Sequence, residues 1–253
     1  MNCFKKWLRV ACTCTAVIST IPTVSATPVI GIGSMYDVLT TGTQSIAKRI
    51  YNSGDSTAFV RVEILQIHPG KINEAKETPQ KEVSGNTLEK DRLIVTPLRM
   101  IIPPSGFQSV RILWPGDRSV ERYFRVRFTP VMPELNDGFG LDPHSAGEYR
   151  KTTLKAGLNV LTGYGTIVVI QPDNPVFNTV VDNADPGKVT VSNAGNATIS
   201  LDNVRSCKSA VSDCGEITRE FIFPGKSKSV VKKSGYKTNF TLIEGNTKRA
   251  LTY

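Results

Sequence analysis

The sequence predicts an all-β protein built from two immunoglobulin-like β-sandwich domains. Three observations carry that prediction. Short stretches repeat with period two: Val60, Val62 and Ile64 alternate with Arg61, Glu63 and Leu65, and Phe124, Val126 and Phe128 alternate with Tyr123, Arg125 and Arg127. Period two is the pleat of a strand. Turn chemistry recurs between these runs, as in Asn52-Ser53-Gly54-Asp55, Pro103-Pro104-Ser105-Gly106, Pro115-Gly116-Asp117, Asn193-Ala194-Gly195-Asn196 and Pro224-Gly225. Short strands at such spacing argue for antiparallel sandwiches. Finally, no stretch has the pattern of a helix longer than a turn or two.

The chain opens on a segment that reads as a signal for export. Lys5, Lys6 and Arg9 precede an apolar run from Val10 to Val24, and Val24-Ser25-Ala26 is an A-x-A-like cleavage site. The run is too short and too polar for a membrane span. A lipid anchor at Cys12 is disfavoured because Arg9 stands where an apolar residue is needed. Removing 26 residues from 253 leaves 227; three basic residues and no acid go with them, so the formal charge falls from +9 to +6. Cys3, Cys12 and Cys14 leave as well, so Cys207 and Cys214 are the remaining cysteines. In an exported protein a nearby pair reads as a disulfide. Metal binding is the weaker alternative, because His68 and His144 are far from the pair and from each other.

After the signal, Thr27-Pro28-Val29-Ile30-Gly31-Ile32 reads as a first strand shared between two sheets. Gly31-Ile32-Gly33-Ser34 is too short and strand-like for a phosphate loop and reads as a bend. Lys48 and Arg49 fall on a central strand. Pro133 to Thr153, rich in Gly, Asp and Lys, reads as a long loop. Next, Leu154, Ala156, Leu158 and Val160 alternate with Thr153, Lys155, Gly157 and Asn159, which reads as a strand with one apolar face. Thr166 to Ile170 is a β-branched run suited to burial on both faces. The prolines of Pro172-Asp173-Asn174-Pro175 exclude a central strand and mark a boundary. The expected division is a first domain at 27–171 and a smaller one at 172–253 holding the cysteine pair.

Two strings give the first domain a family likeness. Val95-Thr96-Pro97-Leu98-Arg99-Met100-Ile101-Ile102-Pro103-Pro104-Ser105-Gly106-Phe107-Gln108-Ser109-Val110-Arg111-Ile112 is a strand, a Pro/Gly turn and a strand ending in Val-Arg-Ile. Glu121-Arg122-Tyr123-Phe124-Arg125-Val126-Arg127-Phe128-Thr129-Pro130 is an aromatic strand carrying arginines. Gly165 to Pro172, Val191 to Thr198 and Phe223-Pro224-Gly225-Lys226-Ser227 extend the likeness thinly over most of the mature chain. Together these resemble the periplasmic pilus (fimbrial) chaperones, nearest their alternate, colonisation-factor and common-pilus class. The resemblance implies two domains in an L or boomerang, a periplasmic location and no cofactor. It implies pilus subunits and an outer-membrane usher as partners, and leaves self-capping as a homodimer open. Subunit capture would work by donating a strand to the pilin and gripping its C-terminal carboxylate with arginine.

Conventional members of that family carry one basic anchor in the first strand and one in the last strand of the first domain. This chain has neither Lys nor Arg from Thr27 to Ala47 or from Ala156 to Gln171. The anchor is therefore expected on Arg125, with Arg127 beside it, since period two puts both on the face away from Phe124, Val126 and Phe128. The alternative is a solvated strand face, with Arg125 paired to Glu121. Arg111 is expected in an internal salt bridge that orients the cleft, and Lys48 and Arg49 are second-rank cleft residues. The donated strand is expected at Leu154, Ala156, Leu158 and Val160; a half-buried edge strand facing its own core is the alternative.

Other classes fit less well. The histidines lack a nucleophile or carboxylate at informative spacing, which argues against an enzyme. A basic balance permits nucleic-acid binding, yet the charges are dispersed over both domains. An exported adhesin or pilus subunit would show a single domain and an alternating N-terminal extension, and the short apolar start of the mature chain does not supply one.

Overall fold

The computed structural model describes residues 27–68, 76–80, 91–155, 161–208 and 213–253. The proposed signal segment lies outside them. Strands dominate, and they form two sandwiches with separate cores.

The first sandwich pairs two sheets. One runs β1 (Ile30–Gly31), β3 (Ser45–Asn52), β8 (Phe107–Leu113), β6 (Ile94–Thr96) in that spatial order. The other runs β2 (Tyr36–Leu39), β10 (Tyr164–Ile170), β9 (Arg122–Pro130), β4 (Ala58–His68), β5 (Lys76–Pro79), with β7 (Arg99–Ile102) also paired to β4. Within residues 27–32 only Ile30–Gly31 pair, in the first sheet as β1; the second sheet is reached by the separate strand β2 after a turn at Gly33, φ 66°. The alternation read from sequence places Phe124, Val126, Phe128, Val168 and Ile170 against Ile50, Val110, Ile112 and Trp114 in one core.

The second sandwich pairs β11 (Thr179–Asp182), β12 (Lys188–Asn193), β15 (Ser227–Val231) with β14 (Thr218–Ile222), β13 (Ile199–Cys207), β16 (Lys237–Glu244), β17 (Thr247–Thr252). Val189, Val191, Ile199, Leu201, Ile222, Phe240 and Leu242 fill its core. Cys207 and Cys214 form a disulfide that clips the end of β13.

Both domains use the same corner, though their sequences show no repeat at large. In the first, the buried Asn52 amide donates to Ser56 O at 2.7 Å and Ile102 O at 3.0 Å, while its oxygen accepts from Gly54 N. In the second, Asn193 donates to Ala197 O and Ile222 O, each at 2.9 Å, and accepts from Gly195 N. Neither glycine has room for a side chain: a Cβ on Gly54 would stand 2.1 Å from Thr27 O, and one on Gly195 2.1 Å from Val176 O. Each corner thus pins the entering segment of its own domain.

One element departs from expectation. Residues Pro143–Lys155 form a helix, α1, where the sequence suggested a loop followed by a strand. Asp142 starts it. The Asp142 carboxylate accepts from His144 N at 2.9 Å, Ser145 N at 3.0 Å and Ser145 Oγ at 2.6 Å, and Pro143 takes the first helical position. These bonds, Ser145's hydroxyl foremost, hold the Asp142 carboxyl below its usual range. The helix docks through Tyr149, whose hydroxyl donates to Thr57 O at 2.6 Å and whose ring meets Phe59 edge-on at 4.8 Å. Leu154 therefore lies in a helix rather than a strand; Ala156, Leu158 and Val160 fall outside the described residues. The physical reason is that a capped helix satisfies its own backbone, whereas an alternating strand needs a partner for its ladder.

A candidate carboxylate-binding cleft

The site is built on β9. Because Phe124, Val126 and Phe128 are committed to the core, Tyr123, Arg125 and Arg127 emerge on the opposite face of the sheet. Across the strands, Arg127 stands opposite Gly165 and Arg125 opposite Ile167 on β10, while Leu65 of β4 flanks Arg125 on the other side. Gly165 matters sterically. The Arg125 Cγ and Cδ lie 3.4 and 3.5 Å from where a Cβ on Gly165 would be, so the arginine stem lies over β10.

The two arginines face an open cleft of about 430 Å³ lined also by Glu77, Thr129, Gly163, Tyr164 and Gly165. Glu77, on β5, bridges them: Oε1 meets Arg125 Nε at 2.5 Å and Oε2 meets Arg127 Nη2 at 2.7 Å. Arg125 is thus paired, but to Glu77 and not to Glu121. Nothing in the sequence singles out Glu77. It is 48 residues from Arg125, and only the order β9-β4-β5 brings it there.

Beside the cleft, part of one strand has a partner on one side only among the described residues. β10 pairs with β9 along Tyr164–Ile170, but with β2 only from Ile167 to Ile170. Among the described residues, Tyr164 to Thr166 therefore have a strand on one side alone.

The second-rank candidates do not join this site. Lys48 points inward, nearly fully buried, with Nζ 2.9 Å from Asp37 Oδ2 and 2.7 Å from Ser34 O. Thr166 Oγ1 donates to the same Asp37 oxygen at 2.8 Å. Asp37 thus meets both Lys48 and Thr166. Arg49 and Arg111 lie on the outer face of the other sheet; Arg49 sits over the Phe107 ring at 5.0 Å. Arg111 is exposed and has no acidic partner among the described residues, so the expected internal salt bridge is not formed. The reason is the pleat: neighbouring positions of β3 face opposite ways, and β8 belongs to the far sheet.

Glu121 has a different task. It accepts from Thr198 N at 2.7 Å, Thr198 Oγ1 at 2.5 Å and Tyr123 Oη at 2.6 Å, joining the two domains. Burial pushes its carboxyl above the usual range, and the hydrogen bonds offset only part of that. The Tyr123 phenol is raised by burial first and by the Glu121 charge second. Tyr36 stacks on Phe221 at 3.9 Å, and Tyr123 meets Phe223 edge-on at 5.1 Å, completing the joint. Arg118 is a further residue without a sequence signal. It is buried and donates to the carbonyls of Leu39, Thr40 and Thr43, fixing the turn between β2 and β3.

No family model matches the chain. Over 185 residues it is 26% identical to a CS1 fimbrial subunit of Escherichia coli, a match spanning 71% of each chain. Over 183 residues it is 21% identical to a CFA/I fimbrial subunit of the same organism, spanning 71% of this chain and 70% of that one. Among solved structures, the class 5 fimbriae chaperone CfaA is similar with a TM-score of 0.52 at 21% identity, over 88% of this chain and 97% of the other. In fold, then, the chain resembles the pilus chaperones, as the sequence strings implied.

Proposed function

We propose that this protein is a periplasmic chaperone that captures pilus subunits and delivers them to an outer-membrane usher. It would be exported by residues 1–26, with 27–171 as the subunit-binding domain and 172–253 as its companion. The observation that carries this reading is the placement of Arg125 and Arg127 in a cleft beside residues 164–166 of β10, whose far side has no partner among the described residues. Arginine grips a carboxylate through charge-assisted, often bidentate hydrogen bonds. An open strand edge accepts a second chain by backbone pairing, with alternate side chains entering its pockets. A polypeptide that presents both a C-terminal carboxylate and an incomplete sheet meets both features at once. The donated strand is the alternating segment Leu154, Ala156, Leu158 and Val160, of which the last three lie outside the described residues. Leu154 itself falls in α1, so its part in donation requires the end of that helix to unwind. The reading assigns no catalytic step and no cofactor.

The names of the two Escherichia coli relatives favour a second reading, in which this chain is itself a fimbrial subunit. Two sandwiches joined through Glu121 and Thr198, with the mature start already used in β1 and β2, suit a chaperone better.

Co-expression with candidate pilins, followed by affinity recovery of the tagged chain from periplasm, tests the proposal. A stoichiometric complex with a small β-rich pilin is expected, and Arg125→Ala should lose it while keeping a native circular dichroism spectrum. Undiminished recovery by Arg125→Ala would remove that arginine from the mechanism. A stable pilin left uncaptured by the wild-type chain would refute the chaperone reading.

A further inference from the structure

Glu77 occupies the cleft as a ligand carboxylate would. Its two oxygens are spread over two guanidinium groups, 2.5 Å from Arg125 Nε and 2.7 Å from Arg127 Nη2. We propose that Glu77 is a resident stand-in for the C-terminal carboxylate of the partner: it holds both arginines in the cleft, and it is displaced when that terminus arrives. The proposal rests on the reading of the cleft as a carboxylate site.

Several features support displacement. Were Glu77 to stay, two carboxylates would share the same pair of guanidinium groups, and like charges at that range disfavour each other. Leaving also costs little. β5 has four residues and, among the described residues, pairs with β4 alone. Both ion pairs are partly open to water, with side-chain exposures of 24% for Glu77, 31% for Arg125 and 46% for Arg127, and pairs so exposed contribute little to stability. Finally, Arg125 commits only its Nε to Glu77, and its stem crosses Gly165 towards β10, so its remaining donors lie near residues 164–166.

The arrangement gives selectivity. A side chain held by a weak partner is already ordered, so less freedom is lost when the true ligand binds. A small free anion brings nothing beyond its charge and gains little over Glu77. A pilin terminus also brings a strand, whose backbone pairing at β10 tips the exchange. Glu77 would therefore exclude loose anions while admitting a C-terminus that arrives with its sheet.

The test uses the mature chain labelled with ¹⁵N-arginine, following the Nε–H resonances of Arg125 and Arg127 during titration with sodium acetate against matched sodium chloride. Glu77→Gln should reach its acetate midpoint at about tenfold lower concentration than wild type, the scale of two partly exposed ion pairs. It should also capture the pilin that wild type captures, at least as fast. An equal or higher acetate midpoint in Glu77→Gln would overturn the proposal. So would loss of pilin capture matching that of Arg125→Ala, since Glu77 would then be a fixed part of the seat. Should Glu77→Gln fail to fold, Glu77→Asp withdraws the carboxylate by one methylene and supports the same comparison. If wild type captures no pilin, the chaperone reading fails, yet the acetate midpoints still decide the role of Glu77.

Discussion

Replacing Glu121 by glutamine should stabilise this protein at neutral pH, and the gain should vanish in acid. Glu121 accepts from Thr198 N, Thr198 Oγ1 and Tyr123 Oη at 2.5–2.7 Å in the joint between the domains. Hydrogen bonds to a charged acceptor contribute about 1.5–3 kcal/mol each. Against them stands the removal of a carboxylate from water, an effective cost of several kcal/mol. Burial is the larger influence here, because the carboxyl is raised above its usual value despite the bonds. The sign follows from linkage. The folded chain holds this proton more tightly than the unfolded one, so Glu121's contribution is complete below the ordinary glutamate value and is lost as pH rises through the folded-state value. Glutamine escapes that loss. Its carbonyl can accept from Thr198 N, and its amide can donate to the Thr198 and Tyr123 hydroxyls, which rotate to accept. Glu121→Ala, by contrast, leaves the Thr198 amide without its partner and should cost about 2–4 kcal/mol. Thermal unfolding followed by calorimetry from pH 3.5 to 8 decides the matter. Glu121→Gln should melt above wild type at pH 7.5 and level with it at the acid end. A glutamine variant that melts below wild type at neutral pH would refute the reasoning, for the charge would then be a net stabiliser of the joint.

Three further outcomes are expected. Lys48→Met strands Asp37 inside the first sandwich, so urea unfolding should show a loss of about 3–5 kcal/mol, while the folded fraction still captures pilin; a stable variant that loses capture would return Lys48 to the binding site. Gly195→Ala drives a Cβ to 2.1 Å from Val176 O and should cost about 2–3 kcal/mol in the same assay; a melting temperature within a degree of wild type would show that the corner yields freely. Leu158→Asp should reduce pilin recovery several-fold with stability unchanged, and full recovery would speak against donation through residues 156–160.

Much of this molecule is written locally in the chain. Period two in Tyr123–Phe128 decided which side chains enter the core, and with it that Arg125 and Arg127 must share the opposite face. The β-branched run at Thr166–Ile170, the bend at Gly33 and the cysteine pair are local signals of the same kind. Even the start of α1 was present in Asp142-Pro143 with Ser145 three residues after the cap, though an alternating segment just beyond pointed to a strand. Alternation states which face a strand would offer; it does not state that a partner exists to receive it.

What local pattern could not supply is company. Arg111, Lys48 and Arg49 rank behind Arg125 on sequence, but where each one ends up is set by the pleat and the sheet assignment: Lys48 inward to Asp37, Arg49 and Arg111 onto the far sheet. Glu77 and Glu121 carry no sequence mark at all. One reaches the arginines because β5 is placed two strands from β9, and the other reaches Thr198 because two sandwiches meet there. A residue's face follows from the covalent geometry of its own strand, whereas its neighbour across a sheet or a domain joint follows from how whole elements pack. The sequence by itself therefore determined the fold class and the outward face of the arginines, and only the tertiary structure decided which of them share a cleft and what holds them there.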